Sequence, residues 1–275
     1  MSTPRPAATV VVLREGPEGP EVLMVQRSSQ SGFMPLAHVF PGGRVDPEDR
    51  QVPVVGGEPD RLRIGVPDAA AYQVAAVREC YEEAGVLLAE GEPDARARQD
   101  LQDRSRTFGQ VASSLGWRVL ADELVYWSWW ITPEAEPRRY DTRFFVARVP
   151  AHTEATHDDF ETIDSRWWRL DRVMDGFEQG ELVLSPPTFR TLWELQGQPS
   201  VDAILASGRA RATPPIMPMA RFKGGGVTVY LPGDPELPSE RGVEGPTRLS
   251  LSQGRWFVQE NLQDEVREEQ RGQRQ

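Results

Sequence analysis

The sequence predicts an α/β domain followed by a C-terminal extension, and three stretches predict it. Ala7–Leu13 and Glu21–Gln26 are short apolar runs separated by the turn residues of Arg14–Pro20, which reads as a hairpin-like pair of strands. Asp68–Leu88 carries Val74, Val77, Tyr81, Ala84 and Leu88 at steps of three and four, the apolar stripe of an amphipathic helix. Leu124–Ile131, with the sequence LVYWSWWI, and Phe144–Ala147 are rich in aromatic and β-branched residues and read as two antiparallel strands.

In chain order, Arg27 closes the second strand, a polar loop spans Ser28–Met34, and a short strand at His38–Phe40 runs into Pro41-Gly42-Gly43. Residues 44–67 hold Pro47, Pro53, Gly56, Gly57, Pro59, Gly65 and Pro67 and cannot form a long helix. Loops of that length tend to be functional or disordered, and the expectation is a rim over the substrate. After the main helix, Glu90–Asp94 is a turn, and Ala95–Ser105 reads as a polar helix continuing towards Leu115. Arg138-Arg139-Tyr140 leads into Phe144, and His152–Asp164 is an acidic loop before a strand at Arg166–Leu170. Leu170–Gly180, Pro187–Gln196 and Ala203–Ala210 read as helices, with Phe189, Leu192, Trp193 and Leu195 available for packing. Pro214–Met219 is extended, and Gly226–Leu231 is a strand ending at Pro232-Gly233-Asp234. The glycines at 224–226 make a turn and not a phosphate loop, because no helix follows to supply amides. The resulting division is a domain at 1–190, an extension packed on it at 191–258, and a polar tail at 259–275.

Composition narrows the function classes. A chain of 275 residues allows one large domain or a domain plus an extension. No apolar run approaches the roughly 20 residues that span a bilayer, and neither a secretory signal nor a terminal Ser-Lys-Leu is present, so the cytoplasm is the expected location. The one cysteine, Cys80, rules out an intramolecular disulfide and sits in the helix as a packing residue. A net charge of -11 argues against general nucleic-acid binding, which needs a basic surface. An anionic substrate would need local help from a divalent metal and from arginine, which here far outnumbers lysine and suits phosphate bidentately.

The charge pattern of the helix is the first pointer to chemistry. Glu79, Glu82 and Glu83 stand at i, i+3 and i+4, so their carboxylates converge within about one turn. Such like-charge pairs cost about 0.2–0.5 kcal/mol each, and only Glu82 has an arginine one turn away, Arg78. A hard cation such as Mg2+ or Mn2+ turns that repulsion into a binding site. The competing reading is a solvated acidic face on an acidic protein.

The segment Arg78-Glu79-Cys80-Tyr81-Glu82-Glu83-Ala84-Gly85-Val86, with Gly42-Gly43 upstream, resembles the signature of the Nudix hydrolases, with Cys80 a loose fit. The resemblance covers about Ala7 to Thr188 and departs in one respect. The family's glutamate lies six residues after the second glycine and eight before the arginine; here the first count reaches Asp49 and the second Ala70, because roughly twenty residues are inserted. Glu48, Asp49 and Asp68 are the candidates to replace it.

The resemblance implies a Nudix fold, a mixed β-sheet sandwiched between helices. It implies Mg2+ or Mn2+ on Glu79, Glu82, Glu83 and the Gly42 carbonyl, with Glu82, Arg78 and a late-loop acid in the chemistry. Glu161 is the candidate for that acid, with Glu154, Asp158 and Asp159 competing, while His152 and His157 are expected to be unliganded. WITP and RYDTRFF resemble a family segment beside the substrate pocket, which makes Arg139 and Arg143 candidate phosphate ligands together with Arg27 and Arg44. The Trp-rich strand itself reads as core before it reads as a base-stacking platform. The implied reaction is hydrolysis of a P–O–P bond in a small-molecule nucleotide diphosphate. The split signature and Leu231-Pro232-Gly233-Asp234 point to the coenzyme A diphosphatase branch. ADP-ribose, NADH or dinucleoside polyphosphate hydrolysis and a non-catalytic nucleotide-binding module are the alternatives, and a homodimer is left open.

Overall fold

The structure is a computed structural model that describes residues 3–30, 34–57, 68–158, 160–223, 226–252 and 255–259. The chain opens with an antiparallel hairpin, β1 (Arg5–Gly16) and β2 (Gly19–Arg27), with Gly19 at φ 125° in the turn. Next come β3 (His38–Val39), β4 (Gly42–Arg44), a 3-10 turn at Pro47–Gln51 and β5 (Val54–Val55). The main helix α1 (Ala69–Ala84) is followed by α2 (Ala95–Gln102), α3 (Phe108–Leu115), β6 (Val119–Leu120), β7 (Val125–Ile131), β8 (Tyr140–Arg148) and β9 (Thr162–Arg169). Three helices follow, α4 (Val173–Gln179), α5 (Pro186–Leu195) and α6 (Val201–Ala210), and then β10 (Pro215–Ile216), β11 (Met219–Lys223), β12 (Gly226–Tyr230), β13 (Arg248–Ser252) and β14 (Arg255–Val258).

The strands build an eight-stranded mixed sheet in the order β10-β7-β8-β1-β2-β3, with β4 paired to β1 and β9 to β2. β1 runs parallel to β8 and β10 parallel to β7. Period-two alternation divides the core between the two faces. Ala8, Val10 and Val12 of β1 pack with Val74, Val77 and Tyr81 of α1 in one cluster. Val11 and Leu13 face the other way and pack with Leu192, Leu195, Ile204 and Leu205 of α5 and α6. This is the mixed sheet between helices that the sequence predicts. The segment after residue 190 shares that second cluster through Ile216, Val229, Leu231 and Leu249. Its last four strands form a separate antiparallel sheet, β11-β12-β13-β14. No described helix is long and apolar enough to cross a membrane.

Several sequence expectations need correction. The polar helix expected to run from Ala95 towards Leu115 is two helices. Arg104 at φ 58° breaks it, and Thr107 restarts it by exchanging hydrogen bonds with Gln110 in a capping box. α1 stops at Ala84 and not Leu88, because Gly85 takes the left-handed conformation at φ 67°. β9 starts at Thr162, four residues earlier than read, which shortens the acidic loop. The segment 44–67 is not a free loop in its described part: Asp49 and Val52 are buried, and β5 pairs parallel with β6. Residues 58–67 lie outside the described residues, as do Asp159, two of the glycines at 224–226 and the tail beyond Gln259. The hairpin of β13 and β14 is not anticipated.

Candidate active site

Two glycines let the helix come up against the sheet. Gly42 pairs with Thr9 of β1, and a Cβ there would stand 2.6 Å from the Ala8 carbonyl oxygen. A Cβ on Gly43 would collide with the Glu79 carboxylate. The backbone can therefore meet the acids of α1 directly, and the Gly42 N–H donates to Glu83 Oε2 at 3.0 Å.

Arg78 organises the acids beneath. Its Nε and Nη2 donate to the two oxygens of Asp49, each at 3.0 Å, its Nη1 to Glu79 Oε1 at 2.8 Å, and its Nη2 to the Arg44 carbonyl at 2.8 Å. Glu82 Oε1 stands 3.5 Å from Nη1. Glu79 is thus not without a cation, contrary to the helical spacing argument, because the guanidinium folds back onto its own neighbour in the chain. Of Glu48, Asp49 and Asp68, Asp49 faces Arg78 in bidentate geometry, while Asp68 pairs with Arg50 at 2.8 Å. Burial opposes the charge on Arg78, but Glu79, Asp49 and Glu82 outweigh it and hold the group cationic.

The acidic face is not a solvated one. Glu83 is only 5% exposed, and α1 is buried on most sides. Burial pushes the Glu79 carboxyl up, with Arg78 pulling against it, and pushes Glu82 up to about 8. Glu83 is driven well above the ordinary range by burial and then by Glu79, although the Gly42 amide opposes the rise. Among the described residues no three His, Cys, Asp or Glu side chains stand close enough together, as placed, to hold a metal ion. Arg78 draws Glu79 and Glu82 towards itself, and Gly42 draws Glu83. The donor set nonetheless fits a hard divalent cation: these are oxygen ligands, buried, and in surplus over the single guanidinium among them.

These acids line a cleft of about 910 Å3. Arg27 and Arg44 line it, together with Gly42, Gly43, Arg78, Glu79, Glu82 and Glu83. Arg139 and Arg143, expected from the sequence to bind phosphate, are not among its lining residues. Along β8 the even residues Tyr140, Thr142 and Phe144 face the cleft, and the odd positions turn towards α1. Arg143 is fully buried, stacked 3.8 Å from the Trp129 ring centroid and bonded to Asp141. Arg139 donates to the Thr132 carbonyl at 3.1 Å. Of the three tryptophans in β7 only Trp130 reaches the cleft; Trp127 is core.

A sequence model of the NUDT19 Nudix domain matches residues 47–195, more than half of the chain. The chain belongs to that family. It is a Nudix hydrolase. It is 29% identical to the protein named acyl-coenzyme A diphosphatase NUDT19 of Gallus gallus, over 86% of this chain and 78% of the relative. To the protein of that name from Homo sapiens it is 28% identical, over 79% of this chain and 72% of the relative. Among solved structures, a NUDIX hydrolase from Alicyclobacillus acidocaldarius superposes with a TM-score of 0.64 at 29% identity, covering 75% of this chain and 97% of that one.

In this Nudix hydrolase the late loop brings one described acid to the cleft, Glu161. Its charge helps to raise the carboxyls of both Glu79 and Glu83, which line the same cleft. Asp158 is occupied in shaping the loop, accepting from the amides of Phe160, Glu161 and Thr162 at 2.8–2.9 Å. Glu154, His152 and His157 do not line the cleft. Three lining arginines escaped the sequence reading: Arg104 and Arg106 between α2 and α3, and Arg138 before β8. The Ser105-Arg106-Thr107 helix start would have exposed the first two, and strand alternation counted back from Tyr140 the third.

Proposed function

We propose that this Nudix hydrolase cleaves the diphosphate of coenzyme A and acyl-coenzyme A with water, giving 3',5'-ADP and (acyl-)phosphopantetheine. The observation that carries the reading is the surplus of carboxyl groups around Arg78 on the lining of a cleft, in a chain whose relatives bear the name acyl-coenzyme A diphosphatase. Glu79, Glu82, Glu83 and the Gly42 carbonyl would hold Mg2+ or Mn2+. Bound there, such an ion supplies water activation and screens the diphosphate charge.

The remaining work falls to the chain. Arg78, clamped by Asp49, is a positioning residue that holds Glu79 and Glu82 towards the cleft. Glu161, exposed on the wall, takes the proton of the attacking water, and Glu82 lines the same cleft. The water oxygen bonds to phosphorus, the bridging oxygen departs with the electrons of the broken P–O bond, and two monophosphates result. Arg27 and Arg44 bind the phosphate oxygens, and Arg104, Arg106 and Arg138 join them as cationic groups on the wall. The feature that favours a non-catalytic module, Ala70 in place of a glutamate, carries less weight once Asp49 supplies a carboxylate to Arg78. The buried Cys80 supports a reducing, cytoplasmic setting.

The test is product analysis by mass spectrometry with Mg2+ or Mn2+ on coenzyme A, acetyl- and palmitoyl-coenzyme A, ADP-ribose, NADH and a dinucleoside tetraphosphate. 3',5'-ADP formed faster than any product of the last three supports the reading, and turnover confined to those three overturns it. Sedimentation of the same preparation decides the homodimer.

A further inference from the structure

The lining of the cleft has two chemically unlike parts. One holds the acids, with Gly42 and Gly43. The other comes from the chain after residue 217, where every described lining residue is apolar: Pro218, Ala220, Phe222, Val227, Val229, Leu251 and Trp256. Strand register explains how residues so far apart in sequence form one wall. Phe222 pairs with Val227, Val227 with Leu251, and Leu251 with Trp256, so the four side chains make one row across β11, β12, β13 and β14. Ala220 pairs with Val229 one step along the same face.

This wall stands over the face of the main sheet that points away from α1. Phe144 and Trp130, which line the cleft from the main sheet, belong to the same cluster as Val229 and Leu249. Phe222 remains 70% exposed. Such a surface has nothing to offer a phosphate, an amide or a hydroxyl, and burying those groups against it without partners costs free energy. A saturated hydrocarbon chain makes no such demand, and covering the wall with one removes apolar surface on both sides from water.

We infer that the β11–β14 sheet is the acyl-chain wall of the active site, and that the row Phe222, Val227, Leu251 and Trp256 sets the preference for acyl length. The inference rests on the coenzyme A reading and adds a direction to it. The diphosphate lies at the acids of α1, and the thioester end extends across the cleft towards the small sheet. A methylene taken from water onto the wall is worth about 0.8 kcal/mol, or about fourfold in kcat/KM, as an upper limit.

The experiment compares kcat/KM for free coenzyme A and for its acetyl, octanoyl and palmitoyl thioesters in the wild type and in Phe222→Asp, whose exposed position tolerates the change, with Trp256→Ser as a second variant. The expected result is a rise with chain length in the wild type and a palmitoyl-to-acetyl ratio at least tenfold lower in both variants. A ratio that is the same in all three proteins overturns the acyl wall while leaving coenzyme A hydrolysis standing. A wild type that turns over no coenzyme A compound overturns both. Independently of turnover, a coenzyme A thioester carrying a terminal diazirine, photolysed in EDTA, should label peptides within 218–258. Labelling at 95–115 instead overturns the assignment.

Discussion

Two of the buried acid–arginine centres among the described residues, the one around Asp234 and the one around Arg78, are balanced differently. Between β12 and β13 of the small sheet Asp234 is fully buried and accepts from Arg248 Nε at 2.9 Å and Nη2 at 3.0 Å, from Thr247 Oγ1 at 2.9 Å, and from the Glu236 amide at 2.9 Å. One carboxylate meets one guanidinium and every oxygen is used. At α1, Arg78 is shared by Asp49, Glu79 and Glu82, and Glu83 stands near with the Gly42 amide. The first centre is closed and pins the turn between β12 and β13. The second has more carboxyl groups than its one guanidinium can pair, and that difference separates a structural tie from a site suited to a cation.

The largest expected effect follows from that imbalance. Glu83→Gln keeps the shape and removes a charge, and should lower kcat for diphosphate hydrolysis by about 10²–10⁴-fold. Asp234→Asn, an equally mild change at an equally buried acid, should leave kcat within a factor of a few. Stopped assays that quantify 3',5'-ADP from both variants break the comparison if the two lose activity alike.

Stability should separate them in the other direction. Removing one partner of a buried pair costs about 3–5 kcal/mol because the other charge is stranded, so Asp49→Ala and Asp234→Ala should both unfold at markedly lower urea. Only Asp49→Ala should also weaken metal binding, since only there does the arginine go on to hold Glu79 and Glu82. Equal metal affinity in the two variants would make Arg78 a structural residue alone.

The two centres were unequally legible in the sequence. Glu79, Glu82 and Glu83 share a helical face, and local periodicity suffices to see it. Asp49 was reachable only as one of three candidates, because what selects it is the 3-10 turn that presents it to α1 across an insertion. For Arg139 and Arg143 the sequence of a cationic strand beside a pocket does not declare which alternate face is wet, and the structure buries both away from the cleft lining. The small sheet was half read. Gly226–Leu231 has a strand-like run, while Arg248–Ser252 and Arg255–Val258, which pair as strands, carry a weaker apolar pattern next to a polar tail. The Asp234–Arg248 pair spans a long connection that no local pattern predicts.

A smaller effect concerns the metal itself. At one hundred times its dissociation constant a ligand adds about 2.7 kcal/mol, so saturating Mg2+ or Mn2+ should raise the Tm by roughly 5–10 °C. Glu83→Gln should lose most of that rise and Asp234→Asn none of it. Differential scanning calorimetry with and without EDTA reads the outcome.

Acid titration sharpens the closed centre. Burial pushes the Asp234 carboxyl up, but bonds from Arg248, the Glu236 amide and Thr247 outweigh it and hold it below the ordinary carboxylate range. A depressed carboxylate contributes stability that is present above its unfolded pKa and lost as pH falls through the folded one. The stability difference between wild type and Asp234→Asn should therefore be constant from pH 5 to 7 and shrink below about pH 4. A difference that instead grows on acidification would mean that the pair is not ionised in the folded chain.

The smallest effect decides which arginines see the substrate. Arg44 is exposed on the cleft, and only its backbone carbonyl serves Arg78, so Arg44→Ala removes a side chain without touching the tie beneath. One charge-assisted contact on an exposed group is worth about 1 kcal/mol, and the KM for the diphosphate should rise about fivefold with kcat nearly constant. Arg143→Lys should do the reverse. The planar stack on Trp129 is lost, the Tm falls by a few degrees, and KM stays put because the side chain lies on the α1 face of β8. A raised KM in Arg143→Lys with an unchanged Tm would place that guanidinium in the cleft and reverse the assignment of the two faces.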